Sequence, residues 1–247
     1  MNLAIDIGNS TTKVSVFEND KILLFRCFRH LTLNRLVRFL TAGKLINNID
    51  SAILCTVSDY PEDIVQFLEK QYFFIFFDHT VPVPLLSNYK TPETLGKDRL
   101  AAAVAANCMF KNENILCIDI GTCIKYDFIS NTNTYCGGSI SPGYDMRFKA
   151  LNTFTKKLPL IKGRKINFLT GADTEESILS GVFNGISSEI SGMINKYKKR
   201  HISLKVIVSG GGIKNLDKEL KMCIFAVPNI VTLGLNMILE FNKTNRK

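Results

Sequence analysis

The chain has 247 residues, 46% of them hydrophobic and 21% charged, with a formal net charge of +9. This composition excludes a disordered or collagen-like chain, and the length allows a substantial core in one large domain or two small ones. No apolar run is long enough to cross a bilayer, and no basic segment followed by an apolar core opens the chain, so neither a membrane span nor a secretory leader is expected.

Alternation of apolar residues predicts strands near 2–7, 12–18 and 21–28, joined by tight turns. The first turn, Asp6-Ile7-Gly8-Asn9-Ser10, runs on through Thr11 and Thr12 to Lys13. Two readings are open for this stretch alone. It is a hairpin turn with Asp, Asn and Gly in their usual places. Or it is a phosphate cradle, in which glycine admits a bulky anion, hydroxyls and backbone N–H groups donate to it, and Lys13 adds charge. The carboxylate repels phosphate, so the second reading puts a metal ion between them.

A helix with Leu33, Leu36, Val37 and Leu40 on one face is predicted over 31–43, then a buried strand from Ala52 to Val57. Pro61-Glu62-Asp63 opens a second helix reaching Lys70, and Tyr72 to Phe77 is a strand. Pro82, Pro84 and Pro92 make residues 79–95 irregular. Leu95-Gly96-Lys97-Asp98-Arg99 then leads into an alanine-rich helix expected to end near Asn112.

The plan now repeats. Leu116-Cys117-Ile118-Asp119-Ile120-Gly121-Thr122 echoes Leu3-Ala4-Ile5-Asp6-Ile7-Gly8-Asn9. A second strand (Ile124 to Ile129), a turn and a third strand from Thr134 follow, as they do in the first half. A repeat of this kind points to a duplicated domain, divided as 1–113 and 114–247. The third strand runs into Gly137-Gly138-Ser139-Ile140-Ser141-Pro142-Gly143, with a helix to Phe154 and a loop over 155–171. A long helix spans about 173–199, and its glycines at 181, 185 and 192 imply close packing or a break. A strand from Lys205 to Val208 ends in Ser209-Gly210-Gly211-Gly212. A helix near 213–221, a strand from Ile224 to Val227 and a last helix from Val231 to Phe241 complete the chain.

The seven cysteines, Cys223 among them, are odd in number and lack a close pair. Most lie in apolar runs, and buried free thiols in a reducing compartment are expected. The three histidines have no metal-ligand spacing. The basic run from Lys196 to Lys205 reads as a solvated helix end, with no aromatic interleaving of the kind that accompanies nucleic-acid binding. Lys243, Arg246 and Lys247 form a basic tail.

Duplicated Asp-x-Gly turns of this layout resemble those of the actin, hexokinase and Hsp70 ATPase superfamily. Within it the chain resembles type III pantothenate kinase. The motifs are Asp6, Gly8, Asn9, Ser10 and Lys13; Gly96, Asp98 and Arg99; Asp119, Gly121 and Thr122 with Asp127; Gly137, Gly138, Ile140, Pro142 and Gly143 with Ala150-Leu151 and Leu158-Pro159 downstream; and Asp173-Thr174 with Ser180-Gly181. They cover nearly the whole chain in order. The resemblance implies an α/β fold of two duplicated actin-like (ribonuclease H-like) domains of βββαβαβ type, with the active-site cleft between them. It implies transfer of the γ-phosphoryl group of ATP to the primary hydroxyl of pantothenate, the first step of coenzyme A synthesis, in a cytoplasmic homodimer using Mg2+ and a monovalent cation, K+ or NH4+. Neither nucleic acid nor membrane is an expected partner.

Carried onto this sequence, the resemblance has Asp6, Ile7, Gly8, Asn9, Ser10, Thr11, Thr12 and Lys13 hold the ATP phosphates, with Asp6 on magnesium through ATP. Thr122 contacts ATP and Asp119 binds the monovalent cation. Tyr89, Gly96, Lys97, Asp98, Arg99 and Thr174 bind pantothenate, and Asp98 is the general base. A carboxylate suits that role, since the attacking alcohol becomes acidic only as its bond to phosphorus forms. Two departures stand out. Lys125 occupies a place where the family often has a small or hydroxyl residue. By alternation it shares a face with Asp127 and could pair with it; if it reached the cation site, its ammonium could weaken or replace the cation requirement. Ser209-Gly210-Gly211-Gly212 lacks the acid that often follows the two glycines. The competing readings are a sugar or acetate kinase of the same superfamily, which Gly96 to Arg99 argues against, and an ATPase-fold protein turned regulator or binding module. The presence of Asp6, Asp98 and Asp119 together argues against the last.

Overall fold

The structure, a computed structural model, describes residues 1–216, 222 and 224–245. In chain order its elements are β1 (Asn2–Ile7), β2 (Thr12–Glu18), β3 (Lys21–Phe28), α1 (Leu33–Ala42), β4 (Ser51–Thr56), α2 (Glu62–Gln71), β5 (Phe73–Phe76), β6 (Leu86–Ser87) and α3 (Lys97–Met109). They continue with β7 (Ile115–Ile120), β8 (Cys123–Ser130), β9 (Thr134–Pro142), α4 (Tyr144–Phe154), α5 (Thr174–Arg200), β10 (Lys205–Ser209), β11 (Phe225–Ala226) and α6 (Ile230–Thr244). Packing divides the chain into two compact units. One comprises Met1–Lys111, Asn133–Tyr135 and the chain from Asn229 onward; the other comprises Asn112–Thr132 and Cys136–Pro228. The unit boundaries differ from the repeat-based division at 113/114 chiefly in the last helix, which packs in the first unit.

In the first unit the sheet order is β3-β2-β1-β4-β5, antiparallel from β1 to β3 and parallel across β1, β4 and β5. Period-two alternation sorts the residues of β1 and β2 between two faces. Leu3, Ile5, Val14 and Val16 pack with Leu36 and Leu40 of α1 and Ile64 and Leu68 of α2. The opposite face meets α6: Ser15 Oγ donates to Thr232 Oγ1 at 2.9 Å, and Asn2 Nδ2 donates to Asn236 Oδ1 at 2.8 Å. Asp6 shares that face with Asn2 and Ala4. Helix α6 also lies on α3. A β-carbon at Gly234 would come within 1.8 Å of the Ala101 carbonyl oxygen, so the two helices meet backbone to backbone. The alanine run of α3 is what permits this approach; its residues from Asp98 to Asn107 are all buried.

The second unit is built on β7, with β11, β10, β7, β8 and the part of β9 from Cys136 onward in that order. The first residues of β9, Thr134 and Tyr135, belong with the first unit, where they pair with Leu86 and Ser87 of β6. Leu116, Ile118, Ile120, Ile124, Tyr126, Val206 and Val208 form a core with Tyr144 and Phe148 of α4 and with the buried stripe of α5 from Ile178 to Ile194. By the same alternation Cys117, Asp119, Lys125 and Asp127 fall on the other face of the sheet.

Several expectations are corrected. The glycines of α5 neither break the helix nor mark tight contacts: a β-carbon at Gly181 or Gly192 would meet nothing within 4 Å, and at Gly185 only Arg147 Nη1 at 3.9 Å. Helix α3 stops at Met109, before a turn in which Asn112 adopts a left-handed φ of 63°. Residues 79–95, expected to be irregular, include the two-residue strand β6. Among the described cysteines only Cys55 and Cys117 are buried, while Cys27, Cys108 and Cys136 are exposed and Cys123 is intermediate. An apolar neighbourhood in sequence does not bury a thiol at a strand edge or helix end. Gly211 to Asn215 form a short 3-10 turn where a helix was expected; the remainder of that expected helix, together with Cys223, Arg246 and Lys247, lies outside the described residues. The basic residues Lys198, Lys199 and Arg200 occupy the last turn of α5, where the helix dipole favours them.

Candidate active site

In the first unit, β1 and β2 carry the Asp6 turn. Strand pairing sets Asp6 directly opposite Lys13 and Ile7 opposite Thr12, leaving Gly8 to Thr11 as the turn. Gly8 N–H closes it on the Thr11 carbonyl at 3.0 Å, and Ser58 Oγ donates to the Gly8 carbonyl at 3.2 Å. Asp6 is buried, with Cys55 Sγ 3.6 Å from its Oδ1 and Lys13 Nζ 3.9 Å from its Oδ2. Asn9 and Ser10 are exposed. The turn therefore places an anchored carboxylate beneath exposed polar groups, with an amine beside it.

The second unit repeats this hairpin with β7 and β8. Asp119 pairs directly with Lys125 and Ile120 with Ile124, leaving the three residues from Gly121 to Cys123 as the turn. Lys125 Nζ lies 2.9 Å from Asp119 Oδ2. The lysine thus reaches Asp119, the carboxylate that the sequence resemblance gives to the cation. The hairpin register carries this, for the residue opposite Asp119 across a three-residue turn is Lys125. Two backbones crowd the turn. Gly143 N–H donates to the Thr122 carbonyl at 3.0 Å, and a β-carbon there would come within 2.3 Å of the Gly121 oxygen. Gly210, at φ +91°, would place a β-carbon 2.4 Å from the Ile120 oxygen and 2.7 Å from Asp119 Oδ1. Thr122 itself is exposed.

The Gly96 to Arg99 segment opens α3 in the first unit. Gly96 is the N-cap, and a β-carbon on it would lie 2.7 Å from Asp98 Oδ1. The same oxygen accepts the Arg99 N–H at 2.8 Å. Asp98 and Arg99 are both buried. The Arg99 guanidinium lies over the Tyr89 ring, 5.9 Å from its centroid, and Tyr89 in turn packs on Tyr135. Lys97 donates to the Pro92 carbonyl at 2.9 Å, and burial lowers its pKa. Asp98, Arg99, Lys97 and Tyr89 are therefore assembled within one unit. Thr174 is the exposed first residue of α5 in the second unit; Asp173 is the cap, accepting the Glu176 N–H at 2.8 Å. Thr174 lines an open pocket of about 610 Å³ with Leu151, Leu158, Ser177 and Ile178.

A model of the type III pantothenate kinase family matches residues 2–196. The chain belongs to that family. A curated type III pantothenate kinase from Christiangramia forsetii is 42% identical over 244 residues, covering 99% of this chain and 100% of the relative. Among solved structures, the activator of 2-hydroxyisocaproyl-CoA dehydratase from Clostridium difficile, with bound ADPNP, superposes with a TM-score of 0.58 at 12% identity, covering 99% of this chain and 97% of the other. MreB 5 of Spiroplasma citri bound to AMPPNP gives a TM-score of 0.51 at 12% identity, again over 99% and 97%. These two show the fold, which is that of the actin-like ATPases.

One cluster in this pantothenate kinase family member escaped the reading of its sequence. Glu189 of α5 accepts hydrogen bonds from Tyr126 of β8 at 2.8 Å, from Ser141 of β9, and from Arg147 of α4, whose Nε also donates to the Pro142 carbonyl at 2.9 Å. Burial alone would raise the Glu189 pKa. The bonds from Ser141, Arg147 and Tyr126 outweigh it and hold the carboxyl below its ordinary value. Burial and this carboxylate together push the Tyr126 hydroxyl well up. The network ties four elements around Pro142-Gly143, the segment that crowds the second turn. Nothing in the spacing of a lone glutamate on a helix signals it. Among the described residues no group of three or more His, Cys, Asp or Glu side chains is placed to hold a metal ion by itself, and no helix is long and apolar enough to cross a membrane.

Proposed function

We propose that the protein transfers the γ-phosphoryl group of ATP to pantothenate, giving 4'-phosphopantothenate in the first step of coenzyme A synthesis, with Asp98 as general base. The observation that carries the assignment of the base is the seating of Asp98. It is buried at the start of α3 and held by the Arg99 N–H, with no side chain at Gly96 to push it aside. A carboxylate fixed in this way can accept the hydroxyl proton as the oxygen–phosphorus bond forms. Arg99 pairs with the pantothenate carboxylate or with charge developing on the phosphoryl group, and its contact with Tyr89 orients it. Lys97, Gly96 and Thr174 complete the pantothenate contacts.

Residues Asp6 to Lys13 cradle the ATP phosphates, with Thr122 as a further contact. The hard oxygens of Asp6 suit Mg2+ bound through the phosphates, and Lys13 adds charge 3.9 Å away. Magnesium supplies neutralisation of phosphate charge. The remaining expected cofactor is K+ or NH4+ at Asp119. The residues present fit it poorly, because Lys125 already brings an ammonium to 2.9 Å of that carboxylate. We further propose duplicated domains 1–113 and 114–247, a cytoplasmic location and a homodimer. Exposed Phe154, Leu160 and Leu169 offer apolar surface for the dimer contact.

The test is a coupled ATP assay with pantothenate, comparing the natural protein with Asp98→Asn. We expect phosphopantothenate, and a fall in kcat of about 10²–10⁴ in the variant with little change in KM. Full activity in Asp98→Asn would remove the base, and absence of product would remove the kinase.

A further inference from the structure

We infer that the Lys125 ammonium takes the place of the monovalent cation at Asp119, so that this protein works without added potassium or ammonium. The inference rests on the kinase reading and on the geometry of one hairpin. Lys125 and Asp119 are directly paired across β7 and β8, so the backbone register brings them together. Lys125 Nζ stands 2.9 Å from Oδ2, and the two side chains are only 20% and 12% exposed. The other carboxylate oxygen, Oδ1, faces Gly210, where a β-carbon would come within 2.7 Å. One oxygen is thus on an ammonium, and the other leaves no room for a side chain at Gly210.

A protonated lysine carries the same single charge as K+ or NH4+ and presents three donors as a compact point charge. It is tethered, so it need not be drawn from solution. A free cation at the same carboxylate would meet its repulsion in a partly desolvated setting. The first turn provides a contrast within the same molecule. There Lys13 is 3.9 Å from Asp6, across a turn one residue longer.

The experiment uses protein freed of potassium and ammonium, assayed for phosphopantothenate in KCl, NH4Cl and choline chloride at equal ionic strength. We expect the natural protein to vary by no more than about twofold among the three salts, since only general screening differs. Lys125→Met, a neutral side chain of similar length, should fall by about tenfold or more in choline and regain activity in KCl or NH4Cl. Melting temperatures give a second readout: the natural protein should melt alike in KCl and choline chloride, while Lys125→Met and Lys125→Thr should be selectively stabilised by KCl. A strict potassium or ammonium requirement in the natural protein, or a potassium-selective melting shift in it, would overturn the inference. If no salt yields product, the kinase reading falls and the melting comparison still judges Lys125. If both variants fail to fold, the salt profile of the natural protein decides alone.

Discussion

At the first Asp-Ile-Gly turn a lysine stands 3.9 Å from the carboxylate across a four-residue turn; at the second the distance is 2.9 Å across a three-residue turn. Both pairs sit at matching places in matching hairpins. What differs is the length of the turn and its surroundings. A β-carbon at Gly8 would lie 3.1 Å from the Thr11 oxygen, and Ser58 Oγ donates to the Gly8 carbonyl. A β-carbon at Gly143 would come within 2.3 Å of the Gly121 oxygen in the second turn, and one at Gly210 within 2.4 Å of the Ile120 oxygen beside it. One hairpin plan therefore holds its lysine at two different distances from the acid. The first sets its lysine farther from the carboxylate than the second does. The second has its carboxylate balanced from within the chain.

Exchanging each acid separately would break or sharpen this contrast most. Asp6→Asn should lower kcat/KM by about 10²–10³, the scale of losing a charge aimed at the transferring group. Asp119→Asn should cost only about tenfold, because Lys125 remains and carries the positive charge. Steady-state kinetics at saturating magnesium would decide, and equal losses would erase the distinction.

A smaller effect, on stability, tests the closure of the second turn. Gly143→Ala forces a methyl into backbone oxygens of Gly121 and Thr122 and should destabilise the protein by about 1–3 kcal/mol. Gly8→Ala should cost less. Urea unfolding would rank them, and the reverse order would contradict the packing described for the two turns.

The smallest effect concerns what backs the second turn. The Glu189 carboxyl has a folded pKa below its ordinary 4.5. Its contribution to stability is therefore present above that value and lost as pH falls through the lower, folded value. Glu189→Gln should lose about 1 kcal/mol near neutrality, discounted for its partial exposure, and should show a shallower fall in stability on acidification. Parallel pH profiles for the two proteins would show that the network carries no such charge dependence.

Much of the fold can be read from local pattern. The alternation of Leu3, Ile5, Val14 and Val16 and the face made by Leu36 and Leu40 reflect burial against a neighbour close in sequence. The Asp6 and Asp119 turns are legible for the same reason, since a hairpin is a local structure. The arrangement at Lys125 needed the register as well as the face. Alternation groups it with Asp127, whereas cross-strand pairing sets it opposite Asp119. Helix α6 covering the Asn2 and Ser15 face was not legible, because its partners lie more than two hundred residues away in sequence. Nor was the Glu189 network, which draws one side chain from each of four elements. The glycines of α5 misled for the opposite reason: their spacing carries no information about what, if anything, lies against them.

The contact of Gly234 with Ala101 has a consequence for biogenesis. A ribosome makes the chain from its N-terminus, and domains commonly fold as they emerge. Here α3, with Asp98 at its start, waits for a helix that is translated only after the whole second unit. Until then the alanine face of α3 has no cover from α6, and a stalled or truncated nascent chain would expose it to chaperones and proteases. Assembly of the segment that bears the proposed base is in this way deferred to the last moments of synthesis.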